Sequence, residues 1–156
     1  MGVEPFRVRV LLLEADPMER LLLREYLETL PRFQIVETRG RSQAFSTPLL
    51  GVSVVLLDMD GTQVDGVNLI LDIRRRNPNV PILGMTDRQT AFYNDPRLRG
   101  CSIAFIQKPF SVRRLHRSLT ATLKAHAARP LLRAGAAKRD PSSSHRECCK
   151  HVHSPA

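Results

Sequence analysis

Two aspartates close the most apolar run of the chain, in the segment LLDMDGTQVDG at residues 56–66. Asp58 ends the run, and Asp60 follows it before a Gly-Thr pair that opens a turn. An aspartate in this setting can attack phosphorus as a nucleophile, and a neighbouring carboxylate can help to hold magnesium. Thr86 and Lys108 follow at intervals of 28 and 22 residues, and both can bind phosphate oxygens. These residue types predict phosphoryl chemistry.

Apolar runs and helical patterns alternate along residues 8–125, which predicts an α/β fold. We expect five strands, at residues 8–15, 34–38, 52–59, 80–86 and 101–107. We expect helices at residues 17–30, 42–47, 66–78 and 111–125, with a short or broken helix before the fifth strand. Strands separated by helices in this way form a single doubly wound, five-stranded parallel sheet with helices on both faces.

The first and last helices carry start signals. Asp16, which precedes Pro17, and Ser111 are residue types that accept hydrogen bonds from the first backbone amides of a helix. Helical spacing predicts that the first helix buries Leu22, Tyr26, Leu27 and Leu30. The same spacing predicts that the last helix buries Val112, Leu115, Leu119 and Leu123.

Polar residues follow the ends of four predicted strands: Glu14 and Asp16, Asp58 and Asp60, Thr86 and Asp87, and Gln107 and Lys108. In a parallel sheet the carboxyl ends of the strands share one edge, where ligands bind near a change of strand order. Carboxylates, a hydroxyl and a lysine on one rim suit a phosphate group and a hard cation.

The composition is that of one globular domain with a basic extension. Hydrophobic residues make up 42% of the chain and charged residues 25%, which suits a soluble domain. Residues 129–156 hold six Lys/Arg and two Asp/Glu, so we expect a domain at residues 1–128 and a basic, disordered tail after it. No apolar run nears the roughly 20 residues of a membrane span, and the three cysteines form no disulfide pattern. We therefore expect a cytoplasmic protein.

The string DMDGT at residues 58–62 resembles the first motif of haloacid dehalogenase-type phosphatases. In those enzymes this motif lies on the first strand, whereas here it lies on the third predicted strand. An acidic pair should also complete the magnesium site after Lys108, but only Asp140 and Glu147 follow, in the predicted tail. Under this alternative Asp60 would act as the acid/base of a phosphatase.

Residues 8–125 resemble a response-regulator receiver domain in the order and spacing of their elements. The segment LLDMDGTQVDG is similar to the phosphoacceptor loop of that family. VPILGMT at residues 80–86 is similar to its strand with the switch Ser/Thr, and FIQKPF at residues 105–110 to its Y-x-x-K-P-F signature. The resemblance implies the flavodoxin-like receiver fold of two-component signalling.

The resemblance also implies a role for each motif residue. Asp58 would accept a phosphoryl group from a histidine kinase or a phosphotransfer protein, as a signalling phosphoacceptor and not as an enzyme. Thr86 would bond a phosphate oxygen, Phe105 would follow it inward, and Lys108 would pair with the phosphate charge. The peptide bond between Lys108 and Pro109 would be cis.

The predicted magnesium site departs from the family pattern. Receivers end their first strand with two adjacent acids, and here those positions hold Glu14 and Ala15. We expect magnesium to be held by Glu14, Asp58 and Asp60, with Asp16 as a further candidate, and to be held more weakly because of Ala15. The alternative is a pseudo-receiver, an interaction module that keeps the fold but has lost metal-dependent phosphorylation.

The resemblance places the output surface on the fourth helix, fifth strand and fifth helix. The predicted exposed face of the last helix is basic, with Arg113, Arg114, Arg117 and Lys124. We expect an acidic downstream protein or a second copy of the chain to dock there. No effector domain follows the predicted receiver, so we expect a stand-alone regulator. The tail is too short for a helix-turn-helix domain, and we expect neither a membrane nor a nucleic-acid partner.

Overall fold

The computed structural model describes residues 7–38, 48–60 and 65–129. The helix predicted at residues 42–47 and the tail predicted from residue 129 onward, apart from Arg129 itself, lie outside these residues. In the described ranges no helix has both the length and the apolar character needed to cross a membrane.

Five strands and four α-helices alternate along the described residues. The strands are β1 (Val8–Leu13), β2 (Phe33–Thr38), β3 (Val54–Asp58), β4 (Ile82–Thr86) and β5 (Ala104–Gln107). The helices are α1 (Pro17–Glu28), α2 (Gly66–Arg76), α3 (Gln89–Tyr93) and α4 (Val112–Ala127), with a 3₁₀ turn at Pro96–Leu98. The last three strands begin two or three residues later than predicted. The apolar residues before them, Val52, Val80 and Ile103, pack against the core without joining the sheet.

The strands form one parallel sheet in the order β2-β1-β3-β4-β5. The predicted doubly wound α/β fold is confirmed. The chain winds from β1 to β2 in one direction, and from β3 through β4 to β5 in the other. The crevice outside the carboxyl ends of β1 and β3 is therefore the switch point, where such sheets bind ligands. Leu13 pairs with Leu57, so Glu14 and Asp58 follow side by side at this crevice.

Side chains of the central strands alternate between two cores, one on each face of the sheet. In β1, Val10 and Leu12 enter one core, and Leu11 and Leu13 enter the other. The first core is covered by α1 and α4, through Leu27, Leu115 and Leu119. The second is covered by α2, through Val67, Leu69, Ile70 and Ile73. Burial on both faces explains why the strands are continuous apolar runs, since each fully buried Leu or Val stabilises the fold by about 1.5–3 kcal/mol.

Helix α1 begins as predicted but presents a different face to the core. The Asp16 carboxylate accepts hydrogen bonds from the second and third amides of the helix, both at 2.8 Å. The prediction that Leu22 is buried is wrong, because this side chain is 59% exposed. The apolar stripe is made by Leu23, Leu27 and Leu30, which follow the i, i+4, i+7 spacing of a helix face. Leu22 lies one residue away from that stripe and points outward.

Helix α4 is capped by Ser111, whose hydroxyl accepts a hydrogen bond from the Arg114 amide at 3.2 Å. Leu115 and Leu119 are buried as predicted. The prediction for Val112 is wrong, because its side chain is 55% exposed. Val112 is the first residue of the helix, at the carboxyl edge of the sheet and almost one turn before Leu115 meets the core.

Candidate functional site

Asp58 ends β3 and carries its carboxylate into the crevice at the switch point. Its side chain is only 9% exposed, and its Oδ1 lies 3.0 Å from Lys108 Nζ. The Asp60 amide donates to the same oxygen over 3.2 Å. Lys108 Nζ also donates to Glu19 Oε2 at 3.0 Å. The Asp58 carboxylate is therefore held by a cation and a backbone amide at the carboxyl edge of the sheet.

Lys108 remains charged in this setting. Partial burial lowers the pKa of its ammonium group, but the hydrogen bonds to Asp58 and Glu19 outweigh burial and hold the pKa above its usual value. The position of the lysine is set by β4, because its amide donates to the Thr86 carbonyl at 2.8 Å. The predicted cis peptide bond between Lys108 and Pro109 is confirmed. A fixed positive charge thus lies beside Asp58.

Glu14 is a buried carboxyl group at the end of β1. Its Oε1 accepts a hydrogen bond from the Asp16 amide at 2.9 Å, whereas Oε2 has no hydrogen-bond partner within the described residues. Burial, opposed by the hydrogen bond from the Asp16 amide and assisted by the charge on Asp58, raises the pKa of Glu14 to about 7. A cation beside Glu14 and Asp58 would offset the cost of burying the charged Glu14 carboxylate and its repulsion from Asp58.

The predicted magnesium ligands are only partly brought together. Ala15 offers no carboxylate, and Oδ1 of Asp16 already accepts from both amides that it caps. Among the residues that the structure describes, no three His, Cys, Asp or Glu side chains form a group that could hold a metal ion. Glu14, with its unpartnered buried oxygen, and Asp58 remain. Magnesium commonly takes only one or two protein carboxylates and completes its shell with water and phosphate oxygens. These residues therefore fit magnesium, with fewer protein ligands than predicted.

Asp60 contacts the end of β4, a contact that the sequence did not predict. Thr86 is fully buried, and its hydroxyl donates to Asp60 Oδ1 at 2.7 Å. The Asp87 amide donates to Asp60 Oδ2 at 2.7 Å. The Arg88 guanidinium approaches Asp60 Oδ1 to 3.6 Å. The order of the strands gives the only signal for this contact within the described residues, because a residue just beyond β3 lies beside the end of β4.

Phe105 lies on β5 within a small aromatic cluster. Its ring stacks on Phe92 with centroids 5.9 Å apart and meets the edge of Tyr93 at 5.0 Å. The ring also lies over Gly84, the residue opposite it on β4. A Cβ atom at position 84 would come within 2.7 Å of the ring, so the glycine makes room for Phe105.

Comparisons with known proteins agree with this fold. A family model for the response regulator receiver domain matches residues 10–120. Over 122 residues the chain is 34% identical to a probable C4-dicarboxylate response regulator from Halalkalibacterium halodurans. The aligned residues make up 77% of this chain and 53% of that protein. The chain belongs to the response regulator receiver family of two-component signalling. It spans about half the length of this relative.

Solved structures of low sequence identity share the fold. A sensor protein from Polaromonas sp. JS666 has a TM-score of 0.68 at 22% identity, over 77% of this chain and 98% of that one. The receiver domain of a sensor histidine kinase from Pseudomonas aeruginosa has a TM-score of 0.64 at 20% identity, over 76% of this chain and 98% of that one. The latter structure holds a magnesium ion in its active-site cleft, and receiver domains generally bind magnesium there.

Proposed function

We propose that this receiver accepts a phosphoryl group on Asp58 from a histidine kinase or a phosphotransfer protein. A carboxylate oxygen of Asp58 attacks the phosphorus of a phosphohistidine, the P–N bond breaks with its electron pair retained by the imidazole, and an acyl phosphate forms. The observation that carries the proposal is the Asp58–Lys108 ion pair of 3.0 Å at the switch point of the sheet. Lys108, which stays charged, then pairs with the phosphoryl oxygens.

Glu14 and Asp58 would hold magnesium, and the ion would supply positive charge between the carboxylates and the phosphoryl group. Thr86 would donate its hydroxyl to a phosphoryl oxygen. To do so it must give up its present bond to Asp60, so the hydroxyl changes partner during the reaction.

The test is incubation with acetyl phosphate and magnesium, followed by intact-mass measurement. Wild type should gain a single phosphoryl adduct, and Asp58→Asn should gain none. Asp72→Asn is the matched control, because it makes the same charge change on α2, where Asp72 pairs with Arg75. An adduct on Asp58→Asn, or none on wild type at any magnesium concentration, contradicts the proposal.

The alternative is a pseudo-receiver, and Ala15 together with the incomplete carboxylate set favours it. The substitution Ala15→Asp restores the second acid of the family pattern and separates the two proposals. A phosphoryl adduct in Ala15→Asp but not in wild type would support the pseudo-receiver. An adduct in both, with tighter magnesium binding in Ala15→Asp, would support the phosphoacceptor.

We further propose that the output face, formed by α3, β5 and α4, docks an acidic protein or a second copy of the chain. Arg113, Arg114, Arg117 and Lys124 are exposed and have no ion pair with any acid in the described ranges. No acidic residue occurs in α4. An acid for self-pairing is Asp87, whose side chain is 66% exposed and lies at the long distance of 3.6 Å from the Arg88 guanidinium. Asp95 is not available, because it is bound by Arg97 at 2.7 Å.

The test is the double variant Arg113→Glu/Arg117→Glu, compared with Arg7→Glu/Arg32→Glu beside the amino ends of β1 and β2. Self-association by sedimentation, and binding of a poly-glutamate peptide, should both be measured at low and high salt. Loss of association in the first variant only, and weakening of wild-type association by salt, are the expected results. Equal behaviour of the two variants would contradict this output face.

A further inference from the structure

Thr86 already has an anionic partner in the unphosphorylated chain. The Asp60 side chain is 19% exposed, and its two oxygens accept from the Thr86 hydroxyl and the Asp87 amide, each at 2.7 Å. The Arg88 amide donates in turn to Thr86 Oγ1 at 2.9 Å. A single carboxylate therefore fixes three consecutive residues at the point where β4 leads into α3.

The two donors that Asp60 binds are a hydroxyl and the next backbone amide, both at the rim that faces Asp58. Under the proposed function the Thr86 hydroxyl binds an oxygen of the phosphoryl group. A hydroxyl has one hydrogen and donates to one acceptor at a time. Asp60 and a phosphoryl group on Asp58 would thus compete for the same donor, and Asp60 holds it first.

The aromatic cluster beside this contact is also already formed. Phe105 lies over Gly84 and contacts both Phe92 and Tyr93. The resemblance to receiver domains implies that Phe105 moves inward when Thr86 binds the phosphoryl group. Here the half-buried ring lies over Gly84 while Thr86 is held by Asp60.

We propose that Asp60 is an internal substitute for the phosphoryl group at Thr86. Its carboxylate holds the connection from β4 to α3, and with it the output face, in the arrangement that a phosphoryl group would otherwise induce. The output face therefore depends on Asp60 and changes little when Asp58 is phosphorylated. This inference rests on the switch role of Thr86 in the proposed function. In the proposed function the charge that holds Thr86 belongs to the phosphoryl group on Asp58. In this inference it belongs to the carboxylate of Asp60.

The first measurement is amide hydrogen exchange by NMR in the absence of phosphoryl donors. The Asp87 amide should exchange about tenfold or more faster in Asp60→Ala than in wild type, because a charge-assisted hydrogen bond is lost. Asp72→Asn, with the same loss of charge on α2, should match wild type. Equal exchange of Asp87 in Asp60→Ala and wild type overturns the proposal.

The second measurement follows the ring signals of Tyr93 and Phe105 before and after addition of beryllofluoride with magnesium, a stand-in for the phosphoryl group. Wild type should shift little. Asp60→Ala should start from different positions and move toward those of wild type when beryllofluoride binds. A wild-type shift as large as that of Asp60→Ala overturns the proposal.

Two controls keep these outcomes distinct. Asp60→Asn keeps the shape of the side chain but only one accepting oxygen, so it should give intermediate exchange and replaces Asp60→Ala if that variant does not fold. Failure of the proposed function would be seen separately, as the absence of a phosphoryl adduct on wild-type Asp58. In that case the exchange of the Asp87 amide, which needs no phosphoryl group, still decides whether Asp60 holds the connection from β4 to α3.

Discussion

Replacing Glu14 with Gln should make the folded chain more stable at pH 8 but not at pH 4.5. The folded-state pKa of Glu14 is about 7, against 4.5 in the unfolded chain. Between these values the folded chain binds more protons than the unfolded chain, so the free energy of unfolding falls as pH rises and levels off above pH 7. The gap corresponds to about 3 kcal/mol, because each pH unit is worth about 1.4 kcal/mol. Gln keeps the oxygen that accepts from the Asp16 amide and cannot ionise.

The assay is urea unfolding of wild type and Glu14→Gln from pH 4.5 to pH 8.5 in a chelating buffer. Titrating groups that do not interact with Glu14 affect both chains alike, so the difference between the two free energies reports Glu14 and its charged neighbours. It should grow from near zero to about 3 kcal/mol in favour of the variant. A difference that does not change with pH, or a variant that is less stable at pH 8, refutes the assignment of a buried, uncompensated carboxyl group.

Three further substitutions test separate contacts. Asp16→Ala removes the helix cap and should lower the free energy of unfolding by about 1 kcal/mol. Magnesium affinity, measured by titration, should not change. A large loss of magnesium affinity would show that Asp16 is a ligand. Gly84→Ala should destabilise the chain by about 1–3 kcal/mol in urea melts, because the new methyl group meets the Phe105 ring; wild-type stability would show that the ring can move aside. Lys108→Ala leaves the Asp58 carboxylate without its cation and should abolish the acetyl-phosphate adduct seen by mass; an undiminished adduct would remove Lys108 from the site.

The fold could be predicted from local patterns because each pattern has a local physical cause. The strands are apolar at every position since both faces of the sheet are covered, as in β3, where Val54 and Val55 enter opposite cores. The short helix after β4 could be predicted from Asn94-Asp95-Pro96, because proline lacks the amide that continues a helix. The structure has α3 ending at Tyr93 and a 3₁₀ turn beginning at Pro96.

The partners of the carboxylates could not be predicted in the same way. Residue type alone makes Glu14, Asp58 and Asp60 equivalent as magnesium ligands. Their partners depend on the register of β1, β3 and β4, and on which oxygen a neighbouring amide or hydroxyl has already taken. The hydrogen bond from Thr86 to Asp60 spans 26 residues, and no periodicity within either segment reports it.

The three buried or half-buried carboxylates at this rim are compensated in three different ways. Asp58 has the fixed charge of Lys108, Asp60 has the donors at the end of β4, and Glu14 is left with one amide and a raised pKa. A phosphoryl group on Asp58 adds negative charge next to Glu14, the least compensated of the three. Under the proposed function, a divalent cation between Glu14 and Asp58 would therefore stabilise the phosphorylated state. The missing acid at position 15 would weaken that stabilisation, because the family pattern places a second acid on the side of the rim where compensation is weakest.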